Sequence, residues 1–366
     1  MAMKKCILKD FLFVLIVVLL TSDNYAAEKT ALKLNLKPGQ KYKRVISMEE
    51  KISQSMAGRQ IDLAHTKKVG LEFDVKDVDA KGVASVMVTY RTLQEKTSHT
   101  AGAMEYDSAD PNTQGVMAVY TAMMDEGFLM KVAGNGRIVE LTGFDEMFSR
   151  MAEKMVVAED EKISKAPPGQ CTIDKNKAAN CKESQEQLAK RRIEGMNRRY
   201  GSRDGRVKAL KEMVEKYPHM AKEQIRLMLV CVMMPFPDEP VRAGDSWTDK
   251  MVLNAMVPVE IEIVYTLKEY KDNVAVVSSN FERTMKDPAI DYNAGPMQGK
   301  IKMAGSYQRS SEIDKSSGWM TRSNAKLKIS GKITMLGNPQ MPKGMIMLAT
   351  VESTVSVEPT ENITTH

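Results

Sequence analysis

The sequence predicts an α+β protein: a large curved antiparallel β-sheet, half-barrel-like, built from two duplicated strand regions with an inserted helical segment packing on it. Three observations lead there. Leu71, Phe73 and Val75 alternate with Glu72, Asp74 and Lys76, and after Asp79-Ala-Lys-Gly82 the alternation resumes through Ala84, Val86, Val88 and Tyr90. Period two on both sides of a glycine turn is an antiparallel hairpin with one buried face. A second strand-rich region follows from Val259 to Glu358, and between the two lies a stretch with helical spacing.

Taken in order, a further hairpin turns at Gly134-Asn135-Gly136, where Asn-Gly supplies positive φ. Phe144, Phe148, Met151 and Met155 then recur at spacings of three and four, one apolar helical stripe. From Lys182 to Lys216 the chain is charged and poor in apolar residues; Pro218 marks another helix start and Pro235-Phe-Pro237 its end. Strand alternation returns at Val259, Ile261, Ile263, Tyr265 and Leu267, turns at Lys271-Asp-Asn273 into Val274–Arg283, and continues over Lys300–Asp314, Gly318–Ile333 and Met345–Glu358.

The two strand regions read as copies. Lys37-Pro-Gly-Gln-Lys-Tyr42 parallels Arg242-Ala-Gly-Asp-Ser-Trp247, the hairpin after Leu71 parallels the one after Ile261, and Glu105-Tyr-Asp-Ser-Ala-Asp-Pro111 parallels Asp291-Tyr-Asn-Ala-Gly-Pro296. Neither copy has strands enough to close alone, so the two are expected to share one sheet.

The N-terminus carries Lys4, Lys5 and Lys9 ahead of the apolar run Phe11–Leu20, with Ala26 and Ala27 behind it. That run is too short for a bilayer, which needs about 20 helical residues, and fits a secretory signal. Asn24 or Tyr25 at the −3 position leaves an uncleaved anchor as the alternative. Cys6 precedes the apolar run, so a lipoprotein is not expected; the protein is placed in the periplasm or secreted. The expected organisation is a signal at 1–27, a first β unit at 28–143, a helical insertion at 144–236, a second β unit at 237–358 and a disordered tail at 359–366.

Chemistry-bearing constellations are few. Of four histidines, His366 ends the chain, His219 stands at a helix start, and His65 and His99 read as solvated side chains in polar surroundings. Gly244-Asp-Ser-Trp247 is similar to the nucleophile motif of esterases named for Gly-Asp-Ser-Leu, but Pro240-Val-Arg-Ala precedes it where those enzymes have a buried strand, so it reads as a turn entering a strand. Asp77-Val-Asp79-Ala-Lys81 opens like a calcium loop, then fails at Lys81 and at Val88, where the bidentate glutamate belongs. No cofactor, metal site or catalytic residue is expected. The 29 methionines fall at core spacing or in apolar runs, with a Met-lined groove as the lesser reading.

Between Lys182 and Lys216 eleven Lys and Arg stand against six Asp and Glu. Lys190, Arg191, Arg192, Arg198 and Arg199, with Arg203 and Arg206, could meet anionic headgroups or an envelope polymer, against the plainer reading of a solvated helix face. Nucleic acid is not an expected partner, given the exported compartment and the scarcity of aromatic residues among the charges. Cys171 and Cys181 bracket a polar loop and are expected to form a disulfide outside the cytoplasm, whereas Cys231, in Leu227-Met-Leu-Val-Cys-Val-Met-Met234, is expected to be a buried free thiol.

Leu34-Asn-Leu-Lys-Pro-Gly-Gln-Lys-Tyr42, Phe73–Gly82, Met104-Glu-Tyr-Asp107 and Pro240–Trp247 resemble an uncharacterised family of exported bacterial proteins, a domain of unknown function. Cys171–Tyr200 looks like an addition to it. The resemblance brings no catalytic residues. The architecture is loosely similar to periplasmic lipoprotein carriers, which suggests a lipid or other apolar ligand in a groove between sheet and helices. A structural or adaptor protein of the envelope, working through protein contacts, is the alternative.

One outcome checks the cysteine assignment. Thiol titration of the unfolded mature protein gives one reactive thiol before reduction and all remaining cysteines after it. Equal counts before and after would remove the Cys171–Cys181 bridge.

Overall fold

The computed structural model describes residues 29–361 apart from 57, 100–101, 111–116, 166–184, 217–219, 255–257, 295–296 and 338–343. Cys171 and Cys181, His219, His366 and the signal segment lie outside the described residues.

The strands are β1 Lys41–Met56, β2 Arg59–Val78, β3 Ala84–His99, β4 Gly102–Asp107, β5 Gly127–Val132 and β6 Ile138–Thr142, then β7 Ser246–Asn254, β8 Pro258–Lys271, β9 Val274–Arg283, β10 Ile290–Ala294, β11 Met297–Asp314, β12 Met320–Met335 and β13 Met345–Pro359. The helices are α1 Ala118–Met123, α2 Phe144–Lys165, α3 Gln185–Arg199, α4 Arg203–Glu215 and α5 Lys222–Val230. The strands form one curved sheet that does not close into a barrel, in the order β6-β5-β3-β2-β1-β13-β12-β11-β9-β8-β7, with β4 on β3 and β10 on β11. The fold is α+β, as the alternation predicts.

The path repeats itself: β6-β5-β3-β2-β1 has the same succession as β12-β11-β9-β8-β7, with β13 between the two runs. Local geometry repeats too. Gly39 N–H donates to Val75 O (2.8 Å) and Val75 N–H to Gln40 O (2.9 Å); Gly244 N–H donates to Leu267 O (2.7 Å) and Leu267 N–H to Asp245 O (3.1 Å). Each of those strands bulges at the next residue, between Val75 and Asp77 and between Leu267 and Glu269. Gly39 and Gly244 both hold positive φ, at 84° and 94°.

The chain leading into each run is pinned to the far half. Asn35 N–H donates to Ser317 O and Phe236 N–H to Asn135 O, both at 2.8 Å, and Thr30 bridges Val241. The two ends of the sheet path are linked by an ion pair from Arg137, beside β6, to Asp249 on β7 at 2.8 Å.

Alternation sorts the faces. Ala84, Val86, Val88 and Tyr90 are buried while Ser85, Met87 and Thr89 are less so. On this core face Phe73, Leu71, Phe128, Met130 and Leu141 pack with Met147, Met151 and Met155 of α2 and Ile225 and Leu229 of α5. Phe128, Phe144 and Phe148 stack in series, at 5.1 and 6.0 Å. The second cluster runs from Phe236 and Met320 to Ile261, Ile263, Ile301, Ile333 and Met347, and no residue of α1–α5 belongs to it. There the sheet curls over and its strands bury one another.

Among the helices, Ser202 caps α4 by accepting from Gly205 N–H (2.9 Å). The guanidinium of Arg206, 1% exposed, pairs with Glu159 and Asp160 of α2 at 2.8 Å, and Arg203 pairs with Glu153. Arg309 on β11 donates to Val230 O and Cys231 O at the end of α5 (3.0 and 2.6 Å) and to Ser323 Oγ (2.7 Å). A cation on the last carbonyls of a helix matches its dipole.

Gly136 (φ 77°) and Gly318 (φ 67°) occupy equivalent turns, and a Cβ at either would strike the carbonyl oxygen of Met234 or Lys33. Gly39 has the same backbone sign but open space around it. Gly39→Ala therefore costs roughly 1–2 kcal/mol of conformational strain, while Gly136→Ala and Gly318→Ala cost about twice that or more. Urea unfolding midpoints in that order check the assignment.

Candidate functional site

Directly opposed residues share a face, so the ladder registers give rows across the sheet. At the end holding the β1–β2 and β12–β13 turns, called the distal end below, the core-face rows are Leu63–Ile52–Val351–Ile329, then Ile61–Gln54–Ala349–Gly331–Met303, then Met56–Met347–Ile333–Ile301, and finally Met345–Met335. Ile301, Met303, Ile329, Ile333 and Met347 are buried against one another and against β8 and β9. Ile52, Leu63, Ala349, Val351, Met335 and Met345 are only half-buried, and Met56 and Ile61 are exposed. The strip is thus shut on one side and part-open toward β1 and β2.

Between that strip and the helices lies an ionic cluster. The hairpin register sets Glu50 opposite His65, and the next pairing sets Lys67 opposite Glu95. His65 Nε2 is 3.2 Å from Glu95 Oε1 and Nδ1 is 3.9 Å from Glu50 Oε2, while Lys67 Nζ is 3.4 Å from Glu95 Oε2. The Glu95 side chain is 4% exposed and that of His65 11%. Lys67 also sits 5.7 Å from the centroid of the Tyr120 ring, which meets Tyr106 edge-on at 5.4 Å. Burial raises the Glu50 carboxyl above the usual carboxylate range, with His65 opposing the shift. Burial likewise raises the Tyr106 phenol.

His65 is therefore not the solvated side chain that its neighbours in sequence suggest. Its partners are 15 and 30 residues away and meet it only across two strand pairs. Buried charges of this kind need partners, and here each has one. No group of three or more metal-ligating side chains with the geometry to hold an ion occurs among the described residues.

The other sequence candidates are placed as follows. Lys190, Arg191, Arg192, Arg198 and Arg199 are exposed on α3. Arg206 is not available to a headgroup, because it is buried against α2 carboxylates, whereas Arg203 is exposed and pairs with Glu153 at the surface. Ser246 Oγ lies 2.8 Å from Thr266 Oγ1 across the ladder, and Asp245 accepts from Arg242 N–H in the turn, so Gly244-Asp-Ser-Trp247 is a strand entry. Cys231 is free and partly buried, and its thiol is pushed up by burial.

The helices meet the sheet closely. Where the chain leaves α5 the space remaining is about 10 Å³, bounded by Val232, Met233, Trp319 and Met320 among others. Side chains such as Met147 and Met151 fill the place expected for a groove between sheet and helices. Wider clefts of about 530 and 640 Å³ cross the solvent face, over polar rows such as Ser278–Ser310–Asn324–Ser356–Ser47. No helix among the described residues is long and apolar enough to cross a membrane.

A model of a family of unknown function, DUF6263, matches residues 81–170 and 192–320. The chain belongs to this family. The break in the match falls inside Cys171–Tyr200, the stretch that reads as an addition. Of the segments carrying the sequence resemblance, Met104–Asp107 and Pro240–Trp247 lie within the match, and Leu34–Tyr42 lies before it. No curated protein matches the DUF6263 chain. Among solved structures, lipovitellin, described by its lipid–protein interactions, superposes with a TM-score of 0.40 at 7% identity over 88% of this chain and 25% of that one. The chain thus spans a quarter of lipovitellin's length. OpdQ of Pseudomonas aeruginosa gives 0.17 at 5% identity, over 88% of this chain and all of that one. A DUF1329 protein of Desulfovibrio piger gives 0.14 at 6% identity, over 88% of each chain. Likenesses this loose decide neither fold nor ligand.

The cluster yields a pH dependence. Folding favours protonated Glu50, so this group's contribution is complete below the unfolded glutamate pKa and is lost as pH rises through the higher folded value. Glu50→Gln removes the loss: its gain in Tm over wild type is larger at about pH 7 than at about pH 4. An equal gain at both values contradicts the burial of that carboxyl.

Proposed function

We propose that this DUF6263 protein is an exported, non-enzymatic component of the bacterial cell envelope that holds an apolar ligand, a lipid acyl chain, along the distal core face of its rolled sheet. One observation carries the reading: half-buried Ile52, Leu63, Ala349 and Val351 continue the apolar interior beyond the helices, beside buried Ile301, Met303, Ile329, Ile333 and Met347 of the same face. Methionines at 56, 335, 345 and 347 border it. Such side chains adapt to ligands of varied shape. Burying a methylene is worth about 0.8 kcal/mol, so a chain of modest length laid on this strip suffices for binding.

Export rests on the basic start and the apolar run Phe11–Leu20. The non-enzymatic reading rests on the character of the charged cluster, whose members pair with one another at the edge of an apolar strip. We read the two halves as copies of one β unit, supported by the recurring strand order and the matched bulges after Val75 and Leu267.

Native mass spectrometry of the mature protein checks this. An added mass lost on organic extraction is expected, and Leu63→Glu with Val351→Glu, placing charge on the strip, weakens uptake of a fluorescent fatty acid at least about tenfold. Ligand-free protein that takes up no fatty acid contradicts the proposal and favours an adaptor acting through protein contacts.

A further inference from the structure

Large apolar residues exposed on the described structure concentrate at the distal end. Met56, Ile61, Met285, Leu336, Ile346 and Leu348 are all there, whereas Val139, Val157, Tyr200 and Met213 are scattered over β6 and the helices. The ladder brings the hairpin ends together, since Met56 faces Met347 and Met335 faces Met345.

The solvent face of this end departs from the rest of the sheet. Farther from this end, the solvent-face rows of β11–β13 are mainly serine, glutamine, asparagine, threonine, glutamate and lysine, with ion pairs such as Lys328–Glu352 at 2.6 Å. At the distal end Lys302 stands directly opposite Lys332, and Lys332 directly opposite Leu348. The next row is Lys300–Thr334–Ile346. Ile346 and Leu348 are each 52% exposed and Leu336 54%. Lys300 has Asp291 at 3.9 Å. Neither Lys302 nor Lys332 has an ion pair among the described residues. Like charges facing each other across a ladder repel. Two opposed, solvent-facing ammonium groups beside three exposed branched apolar side chains fit a partner that is apolar below and anionic above.

We propose that the distal solvent face of β11–β13 is a docking surface for a lipid bilayer carrying anionic headgroups. Lys300, Lys302 and Lys332 take the headgroup phosphates, and Leu336, Ile346 and Leu348 enter the interfacial layer. This surface is on the opposite side of the sheet from the apolar strip, so either proposal can fail while the other stands.

The experiment is flotation of the mature protein with vesicles of phosphatidylglycerol and phosphatidylethanolamine, compared with phosphatidylcholine vesicles. Binding to the anionic vesicles that weakens with salt is expected. Lys302→Glu with Lys332→Glu lowers it at least about tenfold, and Leu348→Ser lowers it without changing the salt dependence. These solvent-facing variants keep the wild-type circular dichroism and Tm, so lost binding is not lost folding. A triple change in α3, Lys190→Glu, Arg191→Glu and Arg192→Glu, leaves binding intact. The proposal is overturned by absent flotation, by flotation indifferent to the rim variants, or by binding that disappears with the α3 variant instead. Self-association abolished by Leu348→Ser, in protein that does not float, also overturns it and assigns the rim to a second copy of the chain.

Discussion

A single C-terminal strand holds the two halves of this sheet together. β13 pairs with β1 from Met347 to Pro359 and with β12 from Met345 to Val357, so among the described residues the strand ladder from one run to the other passes through it. The reciprocal contacts of the lead-in segments, Asn35 on the β11–β12 turn and Phe236 on the β5–β6 turn, then fix the curvature that this strand permits. In the second half, β12 is followed by β13; in the first, β6 is followed by α2. Helices thus follow β6 in the chain where a further strand follows β12, and the Arg137–Asp249 ion pair joins β6 and β7 at the ends of the sheet path.

The curvature sorts the core face into three zones. Nearest the helices it is close-packed and mostly apolar, with the buried Arg44 opposite Leu71 donating to Met320 O. In the middle it carries charge: Glu50, His65, Lys67 and Glu95 on one half, Arg309 at the end of α5 on the other. Farthest out it is apolar again, without a helix over it. A polar belt between two apolar zones separates the structural core from the strip proposed to take a ligand, and charged groups that pair internally can remain there without an external partner.

Much of the architecture was legible in the sequence because alternation is strict where burial is complete. Residues 71–90 and 259–283 carry a clean period of two, and both hairpins are found there. The β1 strand is less legible: Ser47, Glu49, Lys51 and Ser53 mark its solvent face, but Glu50 and Gln54 break the apolar side. α1, six residues long, is too short to show a helical period. The ionic cluster was invisible because Glu50, His65 and Glu95 come together only through register, which local spacing does not encode. The distal rim did leave a signal. Met345-Ile-Met-Leu348 is apolar at four successive positions of a strand, which forces apolar side chains onto both faces.

If β13 is the element that makes one sheet of two halves, it opens only when the whole protein opens. Native-state hydrogen exchange read by mass spectrometry on peptides covering β13, β2 and β12 measures this directly. The account predicts that the amides of β13 exchange with the same opening free energy as those of β2 and β12. Exchange of β13 alone, well ahead of two halves that stay protected, would contradict it.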